Sequence, residues 1–120
     1  MNYEDRVTKE YLENAIAGAG PQIVTGTYTG DGAATQFINL GFTPRAVYVG
    51  GPHGETGVFV GNGYMYYGGM AVTGAPLQVD SRDIVAIVSN GFRVSVYTGN
   101  SSHKIWSNMR NTTFNYIAMA

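Results

Sequence analysis

The 120-residue chain has no cysteine, which excludes disulfide staples and thiol chemistry. Charge is also scarce. Asp, Glu, Lys and Arg make up 12% of the residues, about half the roughly 25% usual in soluble domains. Seven basic and eight acidic residues leave a formal net charge of −1. That balance supplies no basic footprint for nucleic acid and no polybasic tract for an anionic membrane. No apolar run reaches the roughly 18 residues that a membrane-spanning helix needs, so no membrane insertion is expected. The opening MNYEDRVTKEY is polar and charged, and no apolar signal-peptide core follows it. Synthesis in the cytosol of the producing cell is therefore expected. So few charges are also a poor means of keeping a monomer soluble, and part of the surface is expected to be covered.

What the chain does have is glycine, with 17 residues, about twice the average, and an ordinary 44% of apolar residues. Residues 2–17, NYEDRVTKEYLENAIA, read as a helix. Asn2 can cap it with Asp5 in capping-box spacing. Tyr3, Val7, Tyr11, Leu12, Ala15 and Ile16 fall on one broad arc, and Arg6, Lys9, Glu10, Glu13 and Asn14 on the other. Gly18, Gly20 and Pro21 end it. Its apolar face either docks on the rest of the chain or bundles with sister chains or another partner. The linker-like AGAGP that follows favours bundling, as does the presence in the helix of four of the eight acidic residues (Glu4, Asp5, Glu10, Glu13).

From Gln22 the pattern changes to short alternating segments parted by turn residues. QIVTGTYT, TQFINL, RAVYVGG, GVFVG, PLQVD, DIVAIV, FRVSVYT and TTFNYIAMA read as strands. YMYY and MAV are short strands or a wide loop, and IWSNM is an uncertain strand. Asn90-Gly91 is the strongest hairpin turn signal. Val47 and Val49 should share one face of their strand, with Ala46 and Tyr48 on the other. Pro44 excludes a central-strand position for itself. Eight to ten short strands at this spacing predict an antiparallel sandwich or jelly roll.

Several of these segments together resemble a known group. VTKEYLENAIAGAGP is similar to the N-terminal helices of phage virion proteins. GTYTGDGAATQFINLGFTPRAVYV resembles a module of bacteriophage tail-fibre, head-fibre and other virion-surface proteins. In that module a Gly-Asp-Gly turn parts two strands, the second ends in LGFTP, and a valine-rich third follows. Asn90-Gly91-Phe92 and the closing Tyr116-Ile117-Ala118 complete the pattern, which covers most of residues 20–120. The resemblance implies a β-sandwich on an oligomeric appendage, commonly a trimer, and brings no catalytic motif. In physical terms, Gly30 and Gly32 let the chain reverse around Asp31, whose carboxylate can bond nearby amides. Phe42 returns to the core while Pro44 fixes the exit.

Little else points to chemistry. His53 and His103 lie in expected loops, near Glu55 and near Asn100 and Ser101 respectively. A metal centre wants three or four converging ligands, so no metal and no cofactor is assigned. No nucleophile elbow is present, and no catalytic residue is assigned. Carboxylates for glycoside hydrolysis would have to come from Asp31, Glu55, Asp80 and Asp83. Asp80 and Asp83 flank Arg82, which reads as a turn with local ion pairing. The segment GNGYMYYGGMAVTG sets Tyr64, Tyr66 and Tyr67 beside Asn62. Period 2 puts Tyr64 and Tyr66 on one strand face and Met65 and Tyr67 on the other. These rings suit a subunit interface, sheet packing, or a stacking shelf for a sugar. Trp106 is either core or a second sugar platform.

The expected protein is all-β: an antiparallel β-sandwich, jelly-roll-like, over residues 21–120, behind a short N-terminal α-helix and linker over residues 1–20. The expected function is that of a non-enzymatic phage virion structural protein, a small fibre, decoration or receptor-binding subunit. It would be made in the bacterial host cytoplasm and act as a homotrimer through multivalency. Val7, Tyr11, Leu12, Ile16 and Tyr67 are the candidate interface residues, and the helix would also meet other virion proteins. One alternative is a carbohydrate-binding module for host surface glycans, with Asn62, Tyr64, Tyr66 and Trp106 as ligand residues. Another is a small hydrolase using His53 or His103. The start at Met1 with a well-formed helix favours a complete small protein.

Overall fold

The computed structural model describes residues 22–61 and 63–120. The helix expected over residues 2–17, with Val7, Tyr11, Leu12 and Ile16, lies outside the described residues, as does Asn62. Among the described residues there are eleven strands and no helix. They are β1 (Ile23–Thr29), β2 (Thr35–Asn39), β3 (Ala46–Gly50), β4 (Gly57–Val60), β5 (Gly63–Tyr66) and β6 (Gly69–Val72). There follow β7 (Leu77–Val79), β8 (Arg82–Val88), β9 (Gly91–Tyr97), β10 (His103–Trp106) and β11 (Thr113–Met119). The chain is all-β here, and both segments left open between strand and loop, YMYY and MAV, contribute strands.

The strands form two sheets. β1, β11, β3 and β6 make a four-stranded antiparallel sheet in that order. The other seven run β4-β5-β10-β9-β8-β7, with β2 added against β9. The expectation of purely antiparallel pairing fails at one place, because β10 pairs with β5 in parallel. β4 and β5 form their own hairpin, and β5 lies against β10 without a tight turn between them to dictate direction. The β8–β9 hairpin also differs from its sequence reading. Gly91 already belongs to β9, opposite Val88, so the turn is Ser89-Asn90, with Asn90 at φ 68°.

One core joins the sheets. Tyr28, Val47, Val49, Ala71, Phe114 and Ala118 come from the four-stranded sheet, and Ile38, Ile84, Val85, Phe92, Val94 and Ile105 from the other. Period 2 sorts β3, where Val47 and Val49 are buried while Tyr48 between them is exposed, as expected; in β8 Ile84, Val85 and Ala86 are all buried, so both faces of that strand are covered. Tyr28 stacks on Phe114 at 5.1 Å between ring centroids and meets Phe92 edge-on at 5.8 Å. Phe92 is fully buried, and its truncation to alanine would cost about 3–5 kcal/mol. Pro44 is buried, and Phe42 packs on this cluster as the LGFTP segment led one to expect.

The polar tie between the sheets is Ser107-Asn108, at the end of β10, and both residues are fully buried. The Tyr28 hydroxyl, on β1, donates to the Ser107 carbonyl at 2.6 Å. Ser107 Oγ donates to the Ile84 carbonyl at 2.6 Å and accepts from the Ser95 amide at 2.9 Å. Asn108 grips the turn after β1. Its Nδ2 donates to Asp31 Oδ1 at 2.6 Å and to the Ala33 carbonyl at 3.0 Å, and its Oδ1 accepts from the Asp31 amide at 3.1 Å. Asp31 Oδ1 also accepts from the Ala33 amide at 2.9 Å, the local bond anticipated from the sequence. The glycines of this turn have separate reasons. Gly32 sits at φ 76°, whereas at Gly30 a Cβ would strike the Met109 carbonyl oxygen.

Candidate binding surfaces

The outer faces of the two sheets differ in kind. Register lines up the outward residues of the four-stranded sheet in rows. Ile23, Met119, Ala46 and Val72 form one row, and Thr25, Ile117, Tyr48 and Met70 the next. Ile23 is 63% exposed, Met70 61% and Ile117 48%, with Tyr48, Val72 and Met119 also open. The further outward positions are Thr27, Thr29, Thr113, Asn115 and Gly50, so no charged side chain interrupts this face. An antiparallel sheet with one face in water ordinarily alternates apolar-in and polar-out. Here both faces are apolar over two rows. A contiguous exposed apolar patch of this kind marks an interaction surface.

The β4–β5–β10 end of the seven-stranded sheet carries an aromatic and polar surface. Tyr64 and Tyr66 share a face of β5, as period 2 required, and Phe59 of β4 is directly across from Tyr64. Their rings follow one another, Phe59 to Tyr64 at 5.0 Å and Tyr64 to Tyr66 at 4.6 Å. Phe59 is 77% exposed. The Tyr64 ring lies over Gly57, where any Cβ would collide with it. The parallel register carries this face on to His103 of β10. Beyond it the face turns inward, since Ile105 is fully buried in the core and Tyr66 and Tyr97, the latter its partner on β9, pack against that core. The Tyr66 ring stands edge-on to His103, 6.2 Å between centroids.

At His103 the strip meets a cleft of about 230 Å³. Asp80, Arg82, Tyr97, Asn100, His103 and Ile105 line it. His103 Nδ1 lies 2.8 Å from Asp80 Oδ2 and Asn100 Nδ2 lies 3.2 Å from the same oxygen. A carboxylate only accepts, so Nδ1 donates here. The Arg82 guanidinium sits 3.7 Å above the Tyr97 ring, a cation–π arrangement that keeps its N–H edges available. Asp80 and Ser81 form the two-residue β7–β8 turn and both have positive φ, 52° and 64°. Type I′ turns favour Asn or Asp first and glycine second, so Asp80 fits its place and Ser81 stands where glycine is usual. Asn100 is itself fixed by its own loop: its Oδ1 accepts from the amides of Ser102 and His103, at 2.8 and 3.2 Å.

The other sequence candidates separate. Tyr67 lies beyond β5 and packs against the core. Trp106 is on the face of β10 opposite to His103 and Ile105, half-buried, with its Nε1 buried and unpartnered among the described residues. It does not join Tyr64 and Tyr66. His53 relates to Glu55 only through its backbone amide, at 3.3 Å. The local ion pairing expected around Arg82 is redistributed. Asp80 takes His103, and Asp83 takes Arg93 at 2.9 Å and Gln78 at 2.7 Å, because neighbouring strands present partners that Arg82 does not. Asp80–His103 is the base-and-orienter half of a hydrolytic triad, but no hydroxyl bonds to the ring among the described residues. No group of three or more His, Asp or Glu that could hold a metal occurs among the described residues. Sequence reasoning passed over Tyr97 and did not join Asp80 to His103. The available signals were a two-residue hairpin turn without glycine, Asp80-Ser81, and the Asn100-x-x-His103 spacing.

No protein-family model, curated protein or solved structure matches the chain.

Proposed function

We propose that the chain is a non-enzymatic structural subunit of a bacteriophage virion surface, of the small fibre or decoration kind, assembled as a homotrimer. In this reading the two sheets make a jelly-roll-like β-sandwich, and copies of it pack through the outer face of the four-stranded sheet. The observation that carries the proposal is that face: two rows in which Ile23, Tyr48, Met70, Val72, Ile117 and Met119 are exposed, with no charge among them. Two further copies are the occupants that fit, the three faces turned toward a common threefold axis. Identical uncharged surfaces meet without like-charge conflict, and burying them removes the apolar area that a 12% charged monomer has few charges to offset. The segmental resemblance to virion-surface proteins supplies the setting, with residues 1–20 as the attachment to other virion proteins.

Light scattering on a size-exclusion column tests this with the full chain and with a Met70→Asp/Ile117→Asp variant. The expected result is a trimer for the parent and a monomer with an unchanged far-ultraviolet spectrum for the variant. A monomeric parent overturns the proposal. A variant that remains trimeric moves the contact off this face and overturns the surface assignment.

A further inference from the structure

The aromatic strip and the polar cleft are two halves of one site, and we propose that it binds a neutral sugar unit of a surface glycan. This inference lies on the sheet away from the proposed subunit contact and does not depend on it. Sugar recognition needs an apolar ring to stack on and a few fixed polar groups to orient the hydroxyls. The strip supplies the first. Phe59, Tyr64 and Tyr66 run in contact toward His103, and the exposed Phe59 ring has no core role.

The cleft supplies the second. Both side-chain bonds of Asp80 fall on Oδ2, so Oδ1 has no partner among the described residues and can accept from a hydroxyl. Arg82 is positioned by Tyr97 and its side chain makes no hydrogen bond among the described residues, so its guanidinium N–H groups can donate to the same or an adjacent hydroxyl. A vicinal diol, which both donates and accepts, satisfies this pair. The cleft volume of about 230 Å³ falls below the roughly 300–1,000 Å³ of drug-sized sites, matching one ring with its neighbours lying along the strip. A second recess of about 460 Å³ shares Arg82, Tyr97 and Ile105 and extends the track past Gln78.

The charge pattern selects among ligands. Asp80 and Arg82 balance each other, Arg93 is held by Asp83, and Lys104 lies on the face of β10 opposite to His103. An anionic sugar would meet no uncommitted excess of positive charge. A nucleic acid would meet aromatic plates without the basic groove that tracks its backbone.

The test is an amide NMR titration of the full chain with the methyl glycosides of glucose, galactose, mannose, rhamnose and N-acetylglucosamine, with N-acetylneuraminic acid as the anionic control. At least one neutral glycoside should bind in the millimolar range and shift the amides of Tyr66, Asn100 and His103. Asp80→Asn should weaken that binding about tenfold or more, the scale of losing a hydrogen bond to a charged group. Phe59→Ala, at an exposed position that folding does not require, should weaken it about three- to tenfold, the scale of one exposed aromatic contact. No shift with any neutral glycoside overturns the inference. So does binding that both variants leave intact, or binding of the anionic sugar alone. Light scattering on the same samples keeps a failure here distinct from a failure of the trimer.

Discussion

The two outer faces of this protein share one core yet differ in almost every property. The four-stranded sheet presents aliphatic, methionine and tyrosine side chains in register, with no charge, and its recesses of about 110 and 280 Å³ are almost wholly apolar. The seven-stranded sheet presents a line of rings ending at an Asp–His–Asn–Arg cleft. The first is suited to a large, geometrically undemanding contact, in which area decides the energy. The second is suited to a small contact, in which position decides it. A low overall charge therefore conceals two different surfaces, and each has to be judged by its own register.

The tie at Ser107-Asn108 is the means to break the comparison most severely. It binds β1 and its following turn to β8, β9 and β10, so both faces depend on it. Asn108→Asp would replace an amide donor by a carboxylate 2.6 Å from Asp31 Oδ1 in a fully buried position. The expected loss is about 3–5 kcal/mol, the scale of an uncompensated buried charge. Urea denaturation followed by tryptophan fluorescence and by far-ultraviolet circular dichroism should show both signals moving together to lower urea. If the two transitions separate, the faces fold as independent units.

A milder cut is Tyr28→Phe. Removing the hydroxyl that bonds to the Ser107 carbonyl should cost about 1 kcal/mol. Burial pushes the Tyr28 hydroxyl well above the ordinary tyrosine value of 10.0. A raised folded-state value means that the neutral hydroxyl contributes its full stability below pH 10 and loses it as pH rises beyond. The alkaline decline in stability should therefore be shallower in Tyr28→Phe than in the parent. Equal slopes would show that the ring is accessible to hydroxide in the folded state.

The smallest expected effect is at Asp31. Its backbone bond to the Ala33 amide, then the Asn108 side chain, hold its carboxyl below the ordinary carboxylate value of 3.8. A depressed value means stability that is present above the ordinary range and lost as pH falls through the folded-state value. Asp31→Asn keeps the accepting carbonyl and removes the titration, so thermal unfolding scans should show a flatter acid limb with little change at neutral pH. An unaltered acid limb would assign acid sensitivity to other carboxylates.

Much of this was legible in the residues themselves. The shared face of Val47 and Val49 and that of Tyr64 and Tyr66 follow from period 2 alone, but alternation fails in β8, where Ile84, Val85 and Ala86 are all buried. Gly30-Asp31-Gly32 and Leu40-Gly41-Phe42-Thr43-Pro44 announced their turns, because positive φ and a fixed proline ring are properties of single residues. Strand order and sheet membership were not legible. Nothing local says that β5 lies parallel to β10, that Asn108 reaches back to Asp31, or that Asp80 finds His103 instead of Arg82. Those are long-range pairings, decided by which edges and carbonyls remain unsatisfied once the core has closed. Local conformation is dictated by the residue that adopts it, whereas a binding surface is assembled from residues that only the folded sheet brings side by side.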